Sequence, residues 1–470
     1  MSVIPWTGGD ILEATGGERV CGPDDIRFTG IGIDSRTITP EQAFVAIRGA
    51  VHDGHRFAAD VADRGIRGLI LCREDMAGLP WRVWADRGIF CVAVPDTTRA
   101  LGDLAAFHRQ RAGIPVVAVT GSNGKTTTRA MISGVMGRKY KTLSTRGNFN
   151  NEIGLPLTLF NLTSAHQWAV LELGMNHVGE IRRLARICRP DVGVITNIGP
   201  AHLEGLGTVD DVLRAKGELP EEMRPEGKAV LNGDDPRLVR LAGEMPQPVT
   251  LFGLSPKAQV RALEPEADGT GTVFTLALPR DRIRVRLGVP GRFMVYNALA
   301  AAAVGHITGL SPEEIRDGLE GFAPVRGRMA VLNTAKGVHL VDDTYNANPA
   351  SVKGAIRALG DLRGKERGFL VLGDMLELGN AAEGLHREIG EMAAASGVTQ
   401  LYVTGEFTDA VIAGALAGGM ACRDLFRGSR QEITDQLTGV LGPGDWVLVK
   451  GSRGMAMEKV LDAIRDWAGC

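Results

Sequence analysis

Val119-Thr120-Gly121-Ser122-Asn123-Gly124-Lys125-Thr126-Thr127-Thr128 is the stretch on which the reading of this chain turns. The residues before it, Ile114-Pro-Val-Val-Ala-Val-Thr120, form a short β-branched apolar run that predicts a buried strand. A helical stretch follows. A glycine turn between strand and helix lets backbone N–H groups point at phosphate oxygens, and a helix N-terminus adds about half a positive charge. In that frame Gly121, Ser122, Asn123, Gly124 and Thr127 surround the phosphates of ATP, Lys125 reaches the β- and γ-phosphates, and the Thr126 hydroxyl ligates magnesium. A standard Walker loop places a glycine where this chain has Val119, so the usable pattern is the compact Gly-x-x-Gly-Lys-Thr-Thr.

Outward from this turn the chain alternates. Apolar runs at 168–173, 192–196 and 229–232 read as strands, with helical stretches at 179–188 and 208–216 between them. Strands alternating with helices imply a parallel sheet covered on both faces. Residues 274–278 and 283–287 alternate around a charged turn and predict an antiparallel hairpin at a sheet edge. Ser311-Pro312-Glu313-Glu314 carries an N-cap serine, a proline at the first helical position and a glutamate three residues past the cap, and Gly321 is placed to end that helix. Runs at 339–342, 369–372, 401–404 and 446–449 repeat the alternation, so a second, smaller doubly wound unit is expected. The first block mixes short apolar runs with turns and closes on a helical stretch at 101–111. The expected fold class is α/β in three domains, 1–110, 111–323 and 324–470, with a hinge near Ala323-Pro324.

Composition narrows the function. The 470 residues are 44% hydrophobic and 23% charged, with 53 basic against 55 acidic residues. A net charge of −2 points to neither a nucleic-acid stripe nor a polybasic membrane patch. The six cysteines (Cys21, Cys72, Cys91, Cys188, Cys422, Cys470) form no CxxC pair, which fits a reducing compartment. The opening MSVIPWTGGD shows no signal-peptide pattern, and no apolar run is long enough to span a bilayer. The Ala-rich run 298–304 reads as a tightly packed helix. A soluble, cytoplasmic protein is expected.

Glu172 sits at a strand end, where a parallel sheet faces its ligand crevice, and a carboxylate there suits a hard cation. His202, in Thr196-Asn-Ile-Gly-Pro-Ala-His-Leu-Glu204, follows the next strand signal. Lys216, in Arg214-Ala-Lys-Gly-Glu218, is by spacing alone a helix lysine. Together, Thr120–Thr128, Glu172, Ala201-His202-Leu203 and Ala215-Lys216-Gly217-Glu218 resemble, in this order, the Mur ligase and folylpolyglutamate synthase superfamily. The resemblance implies a central ATPase domain flanked by an N-terminal domain that binds a UDP-linked substrate and a Rossmann-like C-terminal domain that holds an amine and reaches ATP. It implies that Thr126 and Glu172 hold one magnesium ion, and that His202 and an N6-carboxylated Lys216 support a second.

Further positions follow from the same resemblance. Asn297 matches a position near ATP, although Phe293-Met294 stand where the commoner pattern has His-Asn. Arg328 and Asp343 match positions that reach ATP from the last domain. Asp34-Ser35-Arg36, 43–49 and His52-Asp-Gly-His55 resemble the uridine-nucleotide domain, so Ser35 and Arg36 are candidate substrate contacts, as are Asn148 and Asn151. Val341-Asp-Asp-Thr-Tyr-Asn-Ala-Asn-Pro349, Val371-Leu-Gly-Asp-Met-Leu-Glu-Leu-Gly379 and Val449-Lys-Gly-Ser-Arg453 resemble the branch that adds D-alanyl-D-alanine, with Asn346, Asn348 and the region of Glu377 as candidates for holding it.

The implied activity is phosphoryl transfer from ATP to the carboxylate of UDP-N-acetylmuramoyl-tripeptide, then attack of the D-alanyl-D-alanine amine on the acyl phosphate, by a monomer. Lys125, His202, Lys216, Arg328 and Asp343 are the residues expected to carry the chemistry. Two other readings stand beside it. One is a sister Mur enzyme or a folylpolyglutamate synthase-like ligase; the other is a nucleotide-gated binding protein without ligation. The third residue of the tripeptide, meso-diaminopimelate or lysine, stays open.

Overall fold

The apolar run before the glycine turn is the strand Val116–Thr120, and every one of its residues is buried. Burial on both faces is what a central parallel strand requires, and it accounts for the unbroken apolar sequence. The computed structural model describes residues 4–49 and 51–469. Cys470 and the first three residues of the amino-terminal segment lie outside them.

Trp168–Glu172 pairs in parallel with one side of Val116–Thr120, and Val192–Ile195 with the other. They belong to a nine-stranded sheet. Beyond Trp168–Glu172 lies the edge strand Thr142–Ser144. Beyond Val192–Ile195 come Lys228–Asn232, Val249–Gly253 and Val260–Asp268, still in parallel. Gly271–Ala277 and Arg282–Leu287 then close the sheet as the expected antiparallel hairpin, with Arg282–Leu287 at the edge. From Val116–Thr120 the chain runs out to Thr142–Ser144, returns beside its start, and crosses to the opposite side. That reversal opens a crevice at the carboxyl ends of these strands, the usual ligand position in such sheets.

A first, five-stranded sheet has the order Glu18–Cys21, Phe90–Val94, Gly68–Cys72, Gln42–Val45, Gly30–Gly32. Its first pairing is antiparallel and the rest are parallel. The helix Thr97–Ala112 leads out of it. Asp96 caps that helix by accepting from the N–H groups of Thr98 and Arg99, and Gly113 ends it at φ 65°. Leu101 and Leu104 pack into the first core while Ala105 packs into the next, so one helix belongs to both.

The last sheet has six strands in the order Ala330–Asn333, His339–Asp343, Trp446–Lys450, Gly368–Gly373, Gln400–Thr404, Leu425–Arg427. Only its first pairing is antiparallel. The helix Pro312–Glu320 before it has the capping box read from Ser311 and Glu314. The helix Arg292–Ile307 buries residues 298–304 completely, so its alanines let neighbouring elements approach closely. A single apolar cluster runs from Val117 and Val135 through this helix to Val352, Ala355 and Leu370 of the last unit. Among the described residues, no helix is long and apolar enough to cross a membrane.

Candidate active site

Gly121 at φ 148° and Gly124 at φ 79° shape the turn after Val116–Thr120. A Cβ on the first would collide with the Thr196 hydroxyl, and one on the second with the Asn297 carboxamide oxygen. The first half of the turn is held by the segment after Val192–Ile195. Ser122 N–H donates to Asn197 O at 3.0 Å. Asn123 N–H donates to Asn197 Oδ1 at 2.9 Å, and Ser122 Oγ donates to Gly199 O at 3.0 Å. The second half opens the helix Lys125–Met136, whose N-cap is Gly124 with no capping side chain. Among the described residues, the N–H groups of residues 124–127 meet no acceptor, whereas Thr128 N–H already donates to Gly124 O. Those four donors, at the positive end of the helix, are an anion site.

Lys125 Nζ donates to Gly121 O at 2.8 Å. Burial pushes its pKa below the ordinary lysine value, with Glu172 opposing and Arg328 reinforcing that shift. Thr126 Oγ1 donates to Glu172 Oε1 at 3.2 Å, and Asn150 Nδ2 donates to the same oxygen at 2.9 Å. The other carboxylate oxygen, Glu172 Oε2, is buried with no hydrogen-bond partner among the described residues. An orphaned carboxylate oxygen beside a threonine hydroxyl is a donor set that fits a hard divalent cation.

Lys216 lies on the helix Val209–Glu221 and is 1% exposed. Burial, and secondarily the charge of Lys125, drive its pKa well below the lysine range. It does not line the cavity, unlike His202. His202 stands in the left-handed region at φ 56°, and its Nδ1 pairs with Glu377 Oε2 at 2.7 Å. Glu377, also left-handed at φ 64°, accepts through its backbone carbonyl from Glu204 N–H at 3.2 Å. The two loops thus join the middle and last units at the site. His202 holds the Glu377 carboxyl below its usual range.

From the last unit, Arg328 NH2 donates to Thr126 Oγ1 at 3.2 Å. The turn before Arg328 is fixed by Asp342, which accepts from Gly327 N–H at 2.8 Å. Asp343 ends its strand paired with Lys450 Nζ at 2.6 Å, and Lys450 also donates to Asn346 O. Asn348 Nδ2 donates to Asn123 Oδ1 at 2.7 Å, a direct link from the last unit to the phosphate turn.

A cavity of about 820 Å³ gathers these groups. Residues 122–127, Asn148, Asn151, Glu172, His202, Asn297, Arg328, Asp343, Asn346 and Asn348 all line it. Ser35 and Arg36 do not. Arg36 is 84% exposed and closes a fork on Asp34, whose carboxyl it lowers to about 2. His55 of the same block is buried as a brace, accepting from Cys72 N–H and pairing with Asp53. Asn151 caps the helix Gly154–Leu159 through the N–H of Gly154. Asn297 Oδ1 accepts from Thr128 Oγ1 at 3.2 Å, and its Nδ2 donates to the Met294 sulfur at 3.7 Å. Met294, buried, thus holds Asn297, and both Phe293 and Met294 line the cavity. Asn150, Lys450 and Tyr345 escaped the sequence reading. Tyr345 and Lys450 lie inside the motifs Val341–Pro349 and Val449–Arg453, and Asn150 lies between the two asparagines read as substrate candidates.

An anion site at a sheet reversal, an unpartnered carboxylate oxygen beside it, and a second unit reaching in from the far side suit an ATP-dependent amide ligase. The chain belongs to the Mur ligase family. Family models match residues 27–109 (Mur ligase family, catalytic domain), 119–305 (Mur ligase middle domain) and 327–453 (Mur ligase, glutamate ligase domain). It is 34% identical to the UDP-N-acetylmuramoyl-tripeptide–D-alanyl-D-alanine ligase of Escherichia coli K12, across 95% of this chain and 96% of that one. A crystal structure of MurF from Acinetobacter baumannii superposes with a TM-score of 0.90 at 32% identity, covering 99% of this chain and 100% of that one. MurF ligase of Thermotoga maritima in complex with ADP gives 0.84 at 27% identity, covering 93% and 97%.

Proposed function

We propose that this chain couples D-alanyl-D-alanine to UDP-N-acetylmuramoyl-tripeptide at the expense of ATP, giving the UDP-muramoyl-pentapeptide precursor of peptidoglycan. One observation carries the reading. Four free N–H donors and Lys125 face Arg328, the Asp343–Lys450 pair and Glu377 of the last unit across one cavity. The chain is also alike along its whole length to a ligase named for this reaction.

In the first step the tripeptide carboxylate attacks the γ-phosphorus of ATP, giving an acyl phosphate and ADP. The protein has little covalent work to do there; it aligns two anions and offsets charge on the γ-phosphoryl oxygens. Residues 124–127, Lys125 and Arg328 supply that field. Magnesium, held by Thr126 and Glu172 with a second ion at His202 and an N6-carboxylated Lys216, would add positive charge to it. The His202 Nδ1–Glu377 pair leaves Nε2 as the nitrogen for an ion. The buried Lys216 amine, with its depressed pKa, is suited to take up carbon dioxide.

In the second step the dipeptide amine attacks the acyl carbon, phosphate leaves, and the nitrogen gives up a proton. An α-amino group with a pKa near ~8 is partly neutral at neutral pH, so positioning supplies most of the rate. We assign residues 1–110 to the UDP-linked substrate, 111–323 to ATP and 324–470 to the amine, with Ala323-Pro324 as hinge. Ser35 and Arg36 join the substrate site when that first unit closes; Asn148, Asn151, Asn346 and Asn348 border it. Asn297 supports ATP by bracing the turn. We assign the enzyme to the cytoplasm, where ATP and a nucleotide-linked acceptor are at hand, and take it to act as a monomer, as the family resemblance implies.

Phosphate release tests the reading. It should be strong only when ATP, UDP-tripeptide and D-alanyl-D-alanine are all present, with a product of the pentapeptide mass. Release that does not depend on the dipeptide, or a product of another mass, would sink it.

A further inference from the structure

Arg328, Lys450 and Arg453 are the cationic side chains that the last unit brings to the cavity wall among the described residues. Two are already engaged there. Lys450, 2% exposed, is neutralised by Asp343, and Arg328 reaches across to Thr126. Arg453 is 64% exposed, and its ion pair is a 3.2 Å contact with Glu458 at the protein surface. A guanidinium so exposed, held by one such contact to the 27% exposed Glu458, is readily turned to a ligand carboxylate.

The backbone around Arg453 is rigidly placed. It opens the 3₁₀ turn Arg453–Met455, just past the strand Trp446–Lys450. Ser452 before it accepts from Leu376 N–H at 2.8 Å, and its own N–H donates to Asp374 O at 3.0 Å. Its hydroxyl also donates to Ala347 O at 3.2 Å. Tyr345 stands by both arginines, its ring centre 4.3 Å from the Arg328 guanidinium carbon and 5.8 Å from that of Arg453. Leu376, 41% exposed, lies against Gly454 on the same wall, and Glu377 follows it. The wall thus offers an anion, an exposed apolar side chain and an available guanidinium. That is the complement of a small zwitterionic peptide with an ammonium, methyl side chains and a terminal carboxylate.

We propose that Arg453 binds the terminal carboxylate of the amine substrate and so selects a free dipeptide acid over amines lacking that group. The planar fork suits bidentate recognition of a carboxylate. The inference rests on the ligase reading above and adds the group that recognises the second substrate.

Steady-state kinetics with D-alanyl-D-alanine and with its C-terminal amide test it, using the full chain and the variants Arg453→Ala and Arg453→Lys. The wild type should favour the acid by about 100-fold in kcat/KM, the scale of one charge-assisted pair. Arg453→Ala should raise the dipeptide KM about 100-fold, abolish the acid–amide preference, and leave the KM values for ATP and UDP-tripeptide within about twofold. Arg453→Lys should regain part of the preference. The wild-type comparison needs no variant to fold, and melting temperature checks the others. Equal use of acid and amide by an active wild type would overturn the proposal while leaving the ligase reading intact. So would an Arg453→Ala enzyme whose ATP KM rises while its dipeptide KM does not. A wild type that ligates no dipeptide at all would overturn both.

Discussion

The helices Lys125–Met136 and Pro349–Arg363 each follow a buried strand of a doubly wound sheet, and each points its amino terminus at the same cavity. They are built in opposite ways. The first starts from a bare Gly124, and four of its donors stay unmatched. The second starts from Asn348 in a full capping box with Ser351, and Pro349 at its first position has no N–H to offer. The strand-end carboxylates differ in the same sense. Glu172 keeps one buried oxygen without a partner, whereas Asp343 is neutralised by Lys450. At these two elements the middle unit stores unmet polar capacity where a charged ligand will land, while the last unit satisfies its helix start and its strand-end carboxylate. Unmet capacity costs stability and serves binding, and satisfied capacity does the reverse.

The largest effect should come from the open terminus. Lys125→Ala should lower turnover by roughly 10⁴-fold, because the charge that meets the β/γ-phosphates is gone. Its melting temperature should hold or rise, since the ammonium is desolvated at a cost in the free enzyme. Near-normal ligation by this variant would break the contrast between the two helices. Glu172→Gln should follow, with turnover down about 10³-fold and weaker binding of Mn²⁺ by titration calorimetry. Unfolding in urea should show a stability no lower than wild type, because the change removes the charge of a buried carboxylate that has one oxygen without a partner. A clear loss of stability would mean that Glu172 is structural.

The same contrast explains what was legible in the chain. Central strands such as Val116–Thr120 and Gly368–Gly373 are buried throughout and read as unbroken apolar runs. Thr142–Ser144 has three residues, none fully buried, and leaves no pattern. Val260–Asp268 carries charges, a proline and a register shift between Leu263 and Glu266, so neither alternation nor an apolar run marks it. At the site, the placement of Lys125, Thr126 and Glu172 was legible because it follows from a local turn and a strand end. Lys450 and Asn150 were not, because each acquires its meaning from a partner distant in sequence, Asp343 or Glu172. Glu377 was placed near the amine, but its bond to His202 spans 175 positions and no local pattern encodes it.

The last unit should answer in stability where the middle unit answers in turnover. Asp343→Asn strips a buried ammonium of its counter-charge, which should cost about 3 kcal/mol in urea unfolding. If that variant lost turnover while unfolding like the wild type, Asp343 would be a ligand group held ready, as Glu172 is, and the two strand ends would be alike after all.

Asn348→Ala is the finest probe of the comparison. The cap is worth about 1 kcal/mol of helix stability. Asn348 also donates to Asn123 in the phosphate turn, so its loss should loosen the last unit from the middle one. Asn348→Ser separates the two contributions, because serine can cap Ser351 N–H but is too short to reach Asn123. The serine variant should recover most of the lost stability and keep a modestly raised ATP KM, about two- to fivefold. If serine restored both, the Asn123 contact would carry nothing. The closed helix terminus would then act on the last unit alone, without reaching the open one beside it.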